Sequence, residues 1–173
     1  MINKTFMVNP HGGGHQTPKG IIVHARGELT EVEGRALYAP DYLKSIKRSA
    51  HAYVTPAGVV IRARLDESIA YHAVGFNTDT LGVEFLVPGA FDSYPDFKMA
   101  IGSTPLSAGT YGWLSQPQYD AGIRLMHEWM LDHDIRSIDR HSDVSPGRKV
   151  DPGDGFPWGK FLADLDWKEE QIY

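Results

Sequence analysis

The sequence predicts an α/β fold, a mixed central β-sheet with helices packed on it, and three observations carry that prediction. Short β-branched apolar runs recur through the first half of the chain, an apolar stripe at helical spacing follows them, and strand and helix patterns alternate loosely. The length of 173 residues fits one domain able to bury most of the apolar surface of its unfolded chain. A flexible, turn-rich lead-in is expected at residues 1–19 and a single folded domain at 20–173.

The lead-in contains Asn9-Pro10-His11-Gly12-Gly13-Gly14-His15-Gln16-Thr17-Pro18, whose glycines and prolines are turn formers. Its two histidines, His11 and His15, lack a rigid scaffold and read as solvated groups. Gly20-Ile21-Ile22-Val23-His24-Ala25 follows, short and β-branched, as expected of a strand buried on both faces with His24 at or near its end. Ala50–Thr55 and Val59–Arg64 flank Pro56-Ala57-Gly58, a connection that reads as a hairpin. Leu81–Val87 is a further strand with one carboxylate, Glu84, inside an apolar run. Ser115-Gln116-Pro117-Gln118 has the form of a capping box opening a helix to about Asp132. Tyr119, Ile123, Met126 and Met130 form its apolar stripe. Pro40–Arg48 and Pro157–Leu165 read as shorter helices, the first carrying the basic cluster Lys44, Lys47 and Arg48 on a solvated face.

Composition excludes several function classes. Hydrophobic residues at 42% and charged residues at 23% are ordinary for a globular chain. With 17 basic against 22 acidic residues, a net charge of -5 provides no footprint for nucleic acid. No apolar run approaches the ~18 residues of a membrane span, and no secretory signal is apparent, so the chain is expected to be cytoplasmic as synthesised. The absence of cysteine leaves His, Asp and Glu as the strong ligands for a metal such as zinc. Oligomeric state is not legible, and a monomer is the working expectation.

The chemistry concentrates in Arg140-His141-Ser142-Asp143-Val144-Ser145-Pro146-Gly147-Arg148-Lys149-Val150-Asp151-Pro152-Gly153. A polar loop punctuated by Pro and Gly usually faces a cleft. Its bends can fold His141 and Asp151 back towards one ion, and His24, held by a strand, is a candidate third partner. Taken singly, His24 reads as a core histidine and Asp151 as a turn residue.

Together these residues resemble the zinc-dependent N-acetylmuramoyl-L-alanine amidases of type 2. That family includes the amidase phage lysozymes, the peptidoglycan recognition proteins and the cytosolic anhydro-muropeptide amidases. The resemblance covers Ile22-Val23-His24, Ser49-Ala50-His51, the hairpin, Tyr71-His72-Ala73, Leu81-Gly82-Val83-Glu84, the helix from Ser115, and His141 through Trp158. It implies a peptidoglycan-recognition-like fold, with the amidase catalytic domain at 20–173. It implies zinc ligands at His24, His141 and Asp151, with Glu84 as general base and then acid, and Lys149 stabilising the oxyanion. Three protein ligands leave a position open for water, as in catalytic zinc sites. The resemblance puts the His72 region on the substrate groove, with a packing or ligand-supporting role an equal reading for His72. Asn77 is read as a muropeptide contact, and Arg148 either as half of a solvated pair with Lys149 or as the grip on a stem-peptide carboxylate. Asp143 reads as a support for the loop, and His51 is balanced between groove and packing.

Amidase phage lysozymes place Tyr where this chain has Ala50 and Cys where it has Asp151, and both differences resemble the cytosolic branch. The compact segment between His24 and Ser49 departs from that branch. The expected function is hydrolysis of the amide between N-acetylmuramic acid and L-alanine of peptidoglycan, as a phage or prophage endolysin reaching the wall through a pore made by another protein. The alternatives are a cytosolic recycling amidase, a non-catalytic peptidoglycan-binding module, and a more distant metal-dependent peptidase. No membrane insertion is expected.

Overall fold

The computed structural model describes residues 12–29, 49–91, 93–102 and 112–168. The helix expected at Pro40–Arg48 and its basic cluster lie outside the described residues.

Seven strands and four helices are described: β1 Gly12–His15, β2 Gly20–Leu29, β3 Ala52–Val54, β4 Val60–Arg62, β5 Ser68–Ala70, β6 Thr80–Phe91, α1 Tyr94–Gly102, α2 Gln116–Asp132, β7 Ser137–Arg140, α3 His141–Val144 and α4 Trp158–Asp164. Five strands form the main sheet in the order β4-β3-β6-β2-β7. β3, β6, β2 and β7 run parallel, and β4 returns antiparallel to β3 across the expected hairpin. β1 pairs antiparallel with β5. Residues 12–15, expected to be turn-rich and flexible, are thus a paired strand. Glycine-rich composition hid it, because the pairing rests on backbone groups and on Gln16 N–H bonding Glu67 O, at 2.8 Å.

Alternation along the strands sorts the sheet into two faces. Ile21 and Val23 of β2, Leu81, Val83 and Phe85 of β6, Ala52 and Val54 of β3, and Ile138 of β7 join the core beneath α2. The opposite face carries Ile22, His24, Gly82, Glu84 and Tyr53. Ile21, Ile22 and Val23 are all fully buried, so β2 is covered on both faces as its composition predicts.

α2 begins at its expected cap. Ser115 is extended (φ -77, ψ 155), and its hydroxyl accepts from Gln118 N–H at 3.2 Å. The reciprocal half of a capping box is absent, because the Gln118 side chain donates to Val54 O and Leu86 O at 2.8 and 2.9 Å. The buried stripe is turned accordingly. It runs through Gln118, Tyr119, Ala121, Gly122, Leu125, Met126 and Trp129, while Ile123 and Met130 are only partly buried. A Cβ on Gly122 would lie 2.5 Å from Phe85 Cζ, so the missing side chain lets α2 approach the sheet.

Candidate metal centre

One row across the sheet builds the centre. Glu84 of β6 is the register partner of Tyr53 on β3 and of His24 on β2. The β2–β7 pairing ends at Val23 and Arg140, which sets His141, the next residue and the first of α3, beside His24. His24 therefore sits in the middle of a long strand and not at its end. The neighbouring strand ends there instead, and that leaves room for the loop to fold over His24.

The loop returns Asp151 to the same point. Ser142 N–H bonds Asp151 O at 2.9 Å, tying the ends of the turn together. Arg148 and Lys149 N–H both bond Ser145 O, at 3.2 and 3.0 Å. Beyond Asp151, Gly153 has φ +80, and a Cβ there would meet Ile101 O at 2.4 Å, so the close passage beside α1 requires glycine. Arg140 donates both arms of a fork to Asp143, from Nε at 2.8 Å and Nη2 at 2.9 Å. Asp143 thereby braces the start of α3, the supporting role its position implied.

Three ligand-type atoms converge. His24 Nδ1 lies 2.8 Å from His141 Nδ1, and Asp151 Oδ2 lies 2.9 Å from His141 Nδ1 and 3.4 Å from His24 Nδ1. All three residues are buried, at 2%, 3% and 7% exposure. One proton on His141 Nδ1 can bridge to one neighbour at a time, whereas a metal ion serves all three. Tetrahedral zinc with N and O ligands at about 2.0–2.2 Å has donor atoms about 3.3 Å apart, so the triangle fits with small adjustments. His24, His141 and Asp151 thus form a possible metal site.

Electrostatics agree with a cation-binding pocket. Burial alone would push the Asp151 carboxyl up, but the hydrogen bond from His141 and the adjacent His24 imidazole outweigh it and hold the group well below the usual carboxylate range. Burial lowers His141, against the opposing bond to Asp151, and the charges of His24 and Lys149 add to the lowering. Asp151 and His141 are thus biased to the metal-binding form, carboxylate and neutral imidazole. His141 Nε2 is buried without a hydrogen-bond partner among the described residues.

The model of the N-acetylmuramoyl-L-alanine amidase family matches residues 14–154. The chain belongs to this family. Among solved structures it is similar to the N-acetylmuramoyl-L-alanine amidase LysC from Clostridium intestinale URNW, with TM-score 0.67 and 18% identity over 97% of this chain and 100% of that one. It is similar to the endolysin amidase LysCS from the same organism at TM-score 0.65 and 20% identity, covering 97% and 99% of the two chains. It also resembles AmpD, at TM-score 0.66 and 17% identity over 95% of this chain and 96% of that one. No curated protein matches the chain. The matches accord with the expected amidase type 2-like fold.

The other residues expected around an amidase centre separate into groups. Glu84 is half-buried in the row with His24, and its carboxylate makes no hydrogen bond to a described residue. Lys149, also half-buried, lines a cleft of about 470 Å³ with Lys98, Arg140, Ser142 and Asp154. Arg148 is exposed and donates to Ser145 Oγ at 2.7 Å. Asn77 Oδ1 accepts from the His72 and Ala73 N–H groups at 2.9 and 2.8 Å, so this residue shapes the loop after β5. His15 is exposed and bonds Glu67 O at 3.0 Å. Sequence reasoning missed Gly82 and Thr80, which hold His72 against His24. A glycine inside an apolar strand was the available signal, since it often marks a close approach.

His51 is a structural residue. It is fully buried, its Nδ1 accepts from Gly82 N–H at 3.0 Å, and its Nε2 lies 2.8 Å from Ser68 O. Burial lowers its pKa from 6.5 to about 3; the bond to Ser68 opposes this, and the charges of Arg64, Arg62 and His133 reinforce it. In the unfolded chain His51 takes up a proton near its ordinary value of about 6.5, whereas the folded protein resists until about 3. The unfolded state binds more protons in that window, so stability is full above it and falls as pH drops through it. We expect denaturation midpoints to decline on acidification across that window, with a shallower decline in His51→Gln. Equal slopes in the two proteins would remove His51 from the account.

Proposed function

We propose that this amidase is a zinc enzyme that hydrolyses the bond between the lactyl carbonyl of N-acetylmuramic acid and the nitrogen of L-alanine in peptidoglycan. The carrying observation is the convergence of His24 Nδ1, His141 Nδ1 and Asp151 Oδ2 in a chain of the amidase family. In this reading those residues hold the ion, within a catalytic domain that we place at residues 20–173. Bound zinc supplies a Lewis acid for the carbonyl and for the attacking water.

The protein's own groups do the rest. Glu84 removes a proton from the water as its oxygen bonds the carbonyl carbon, and later delivers that proton to the leaving nitrogen as the C–N bond breaks. The Lys149 ammonium offsets negative charge on the carbonyl oxygen. His72, Asn77 and Arg148 are proposed to border the bound muropeptide, with Arg148 placed for a stem-peptide carboxylate.

Among the described residues no helix is long and apolar enough to cross a membrane. We favour action on intact wall, as a phage or prophage endolysin made in the cytoplasm and released through a pore formed by another protein. The similarity to LysCS, whose name is that of an endolysin, supports this reading.

Digestion of purified sacculi, compared with soluble anhydro-muropeptides, tests it by mass spectrometry. The expected products are intact peptides beginning with L-alanine, released from sacculi. Turnover of soluble muropeptides alone would assign a recycling role. Cuts between amino acids would make it a peptidase, and binding without cleavage a recognition module.

A further inference from the structure

We propose that His72 is a positioning residue that fixes the tautomer and the orientation of His24, so that the His24 Nδ1 lone pair faces the metal site. The proposal rests on the reading of His24 as a zinc ligand. It begins at Thr80, the first residue of β6. His72 Nε2 lies 3.3 Å from Thr80 O and 3.4 Å from Thr80 Oγ1. The carbonyl can only accept. The hydroxyl has committed its hydrogen to Phe76 O, so towards His72 it too can only accept. His72 therefore carries its proton on Nε2, and its Nδ1 presents a lone pair.

That lone pair lies 3.1 Å from His24 Nε2. The contact is a hydrogen bond only if His24 donates from Nε2, which in a neutral ring leaves Nδ1 unprotonated. His24 Nδ1 is the atom that faces His141 and Asp151. Which nitrogen of an imidazole binds a metal is set by the bond its other nitrogen makes. Here the setting passes from a backbone carbonyl through one imidazole to the next. The two rings meet edge to face, with centroids 5.2 Å apart and planes at 84°.

Gly82 holds the relay in place. A Cβ at this position would lie 2.6 Å from His72 Cγ and 2.7 Å from His72 Nδ1, so the His72 ring rests on the bare backbone of β6. His51 also holds that backbone, accepting from Gly82 N–H at 3.0 Å and donating its own N–H to Gly82 O at 2.9 Å. The glycine of Leu81-Gly82-Val83-Glu84 thus serves the metal site without touching a ligand.

The test combines zinc affinity by chelator competition with imidazole nitrogen NMR on the full chain. In metal-free wild type, His24 should carry its proton on Nε2. His72→Phe keeps a ring over Gly82 but removes the acceptor, and its zinc affinity should fall about 10–100-fold. Gly82→Ala, which displaces the His72 ring, should fall similarly. His72→Asn places an acceptor oxygen near the position of Nδ1 and should recover most of the loss. A folded His72→Phe protein with wild-type zinc affinity, or a His24 proton on Nδ1, overturns the inference. If His72→Phe does not fold, Gly82→Ala and the wild-type tautomer decide the matter. Wild type that binds no zinc would overturn the zinc reading as well, whereas zinc-binding wild type with unaffected variants would defeat this inference alone.

Discussion

Replacing His141 with alanine should strip the protein of zinc and abolish amide cleavage while leaving the sheet in place. His141 contributes the atom closest to both other donors, at 2.8 Å from His24 Nδ1 and 2.9 Å from Asp151 Oδ2. Without it, two donors remain, too few to hold zinc in a closed shell. Residues that merely orient a ligand already contribute about 10–100-fold in metal affinity, so loss of a ligand should exceed that range. The hydrophobic core lies on the other face of the sheet, under α2, so the fold has an independent source of stability. Metal analysis, circular dichroism and a cleavage assay on the same preparation check the expectation. Retention of one zinc per chain at wild-type affinity would remove His141 from the ligand set.

Glu84→Gln should separate binding from chemistry. Glu84 shares the row of His24 but is not among the three converging atoms, so zinc content should be unchanged. Glutamine has nearly the same shape and cannot take a proton from water at neutral pH. The rate constant should fall by about 10²–10⁴-fold, or about 3–5 kcal/mol in the barrier, the range typical of general acid–base groups. KM should move little, because the lost interaction belongs to the transition state. Full activity in this variant would mean that another group serves as base.

How much of this was legible depended on whether a signal lay in side-chain pattern or in backbone approach. The β-branched run at Ile21–Val23, the hairpin around Gly58 and the cap at Ser115 are local patterns, and each became the expected element. The polar loop from His141 to Asp151 was legible because its Pro and Gly residues allow it to fold back, and the Ser142–Asp151 bond now closes it. The stripe of α2 was legible at Tyr119 and Met126, which are buried as expected, but its extension through Gln118 and Gly122 was not, since neither looks apolar. One is buried through two bonds to sheet carbonyls, and the other through contact with Phe85. β1 escaped notice because its glycines carry no pattern. The link between His72 and His24 spans 48 residues and depends on a register that no local pattern specifies. Glu84 was conspicuous as a lone carboxylate in an apolar strand. Its place beside His24 follows from the parallel pairing of β2 with β6, which alternation alone does not determine.

The most direct test of a zinc amidase built on His24, His141 and Asp151 is zinc content measured in parallel with release of L-alanyl peptides, before chelation, after it, and after zinc is restored. About one zinc per chain is expected, with cleavage lost and recovered in proportion to the metal. Undiminished release of L-alanyl peptides by protein freed of metal would contradict the account.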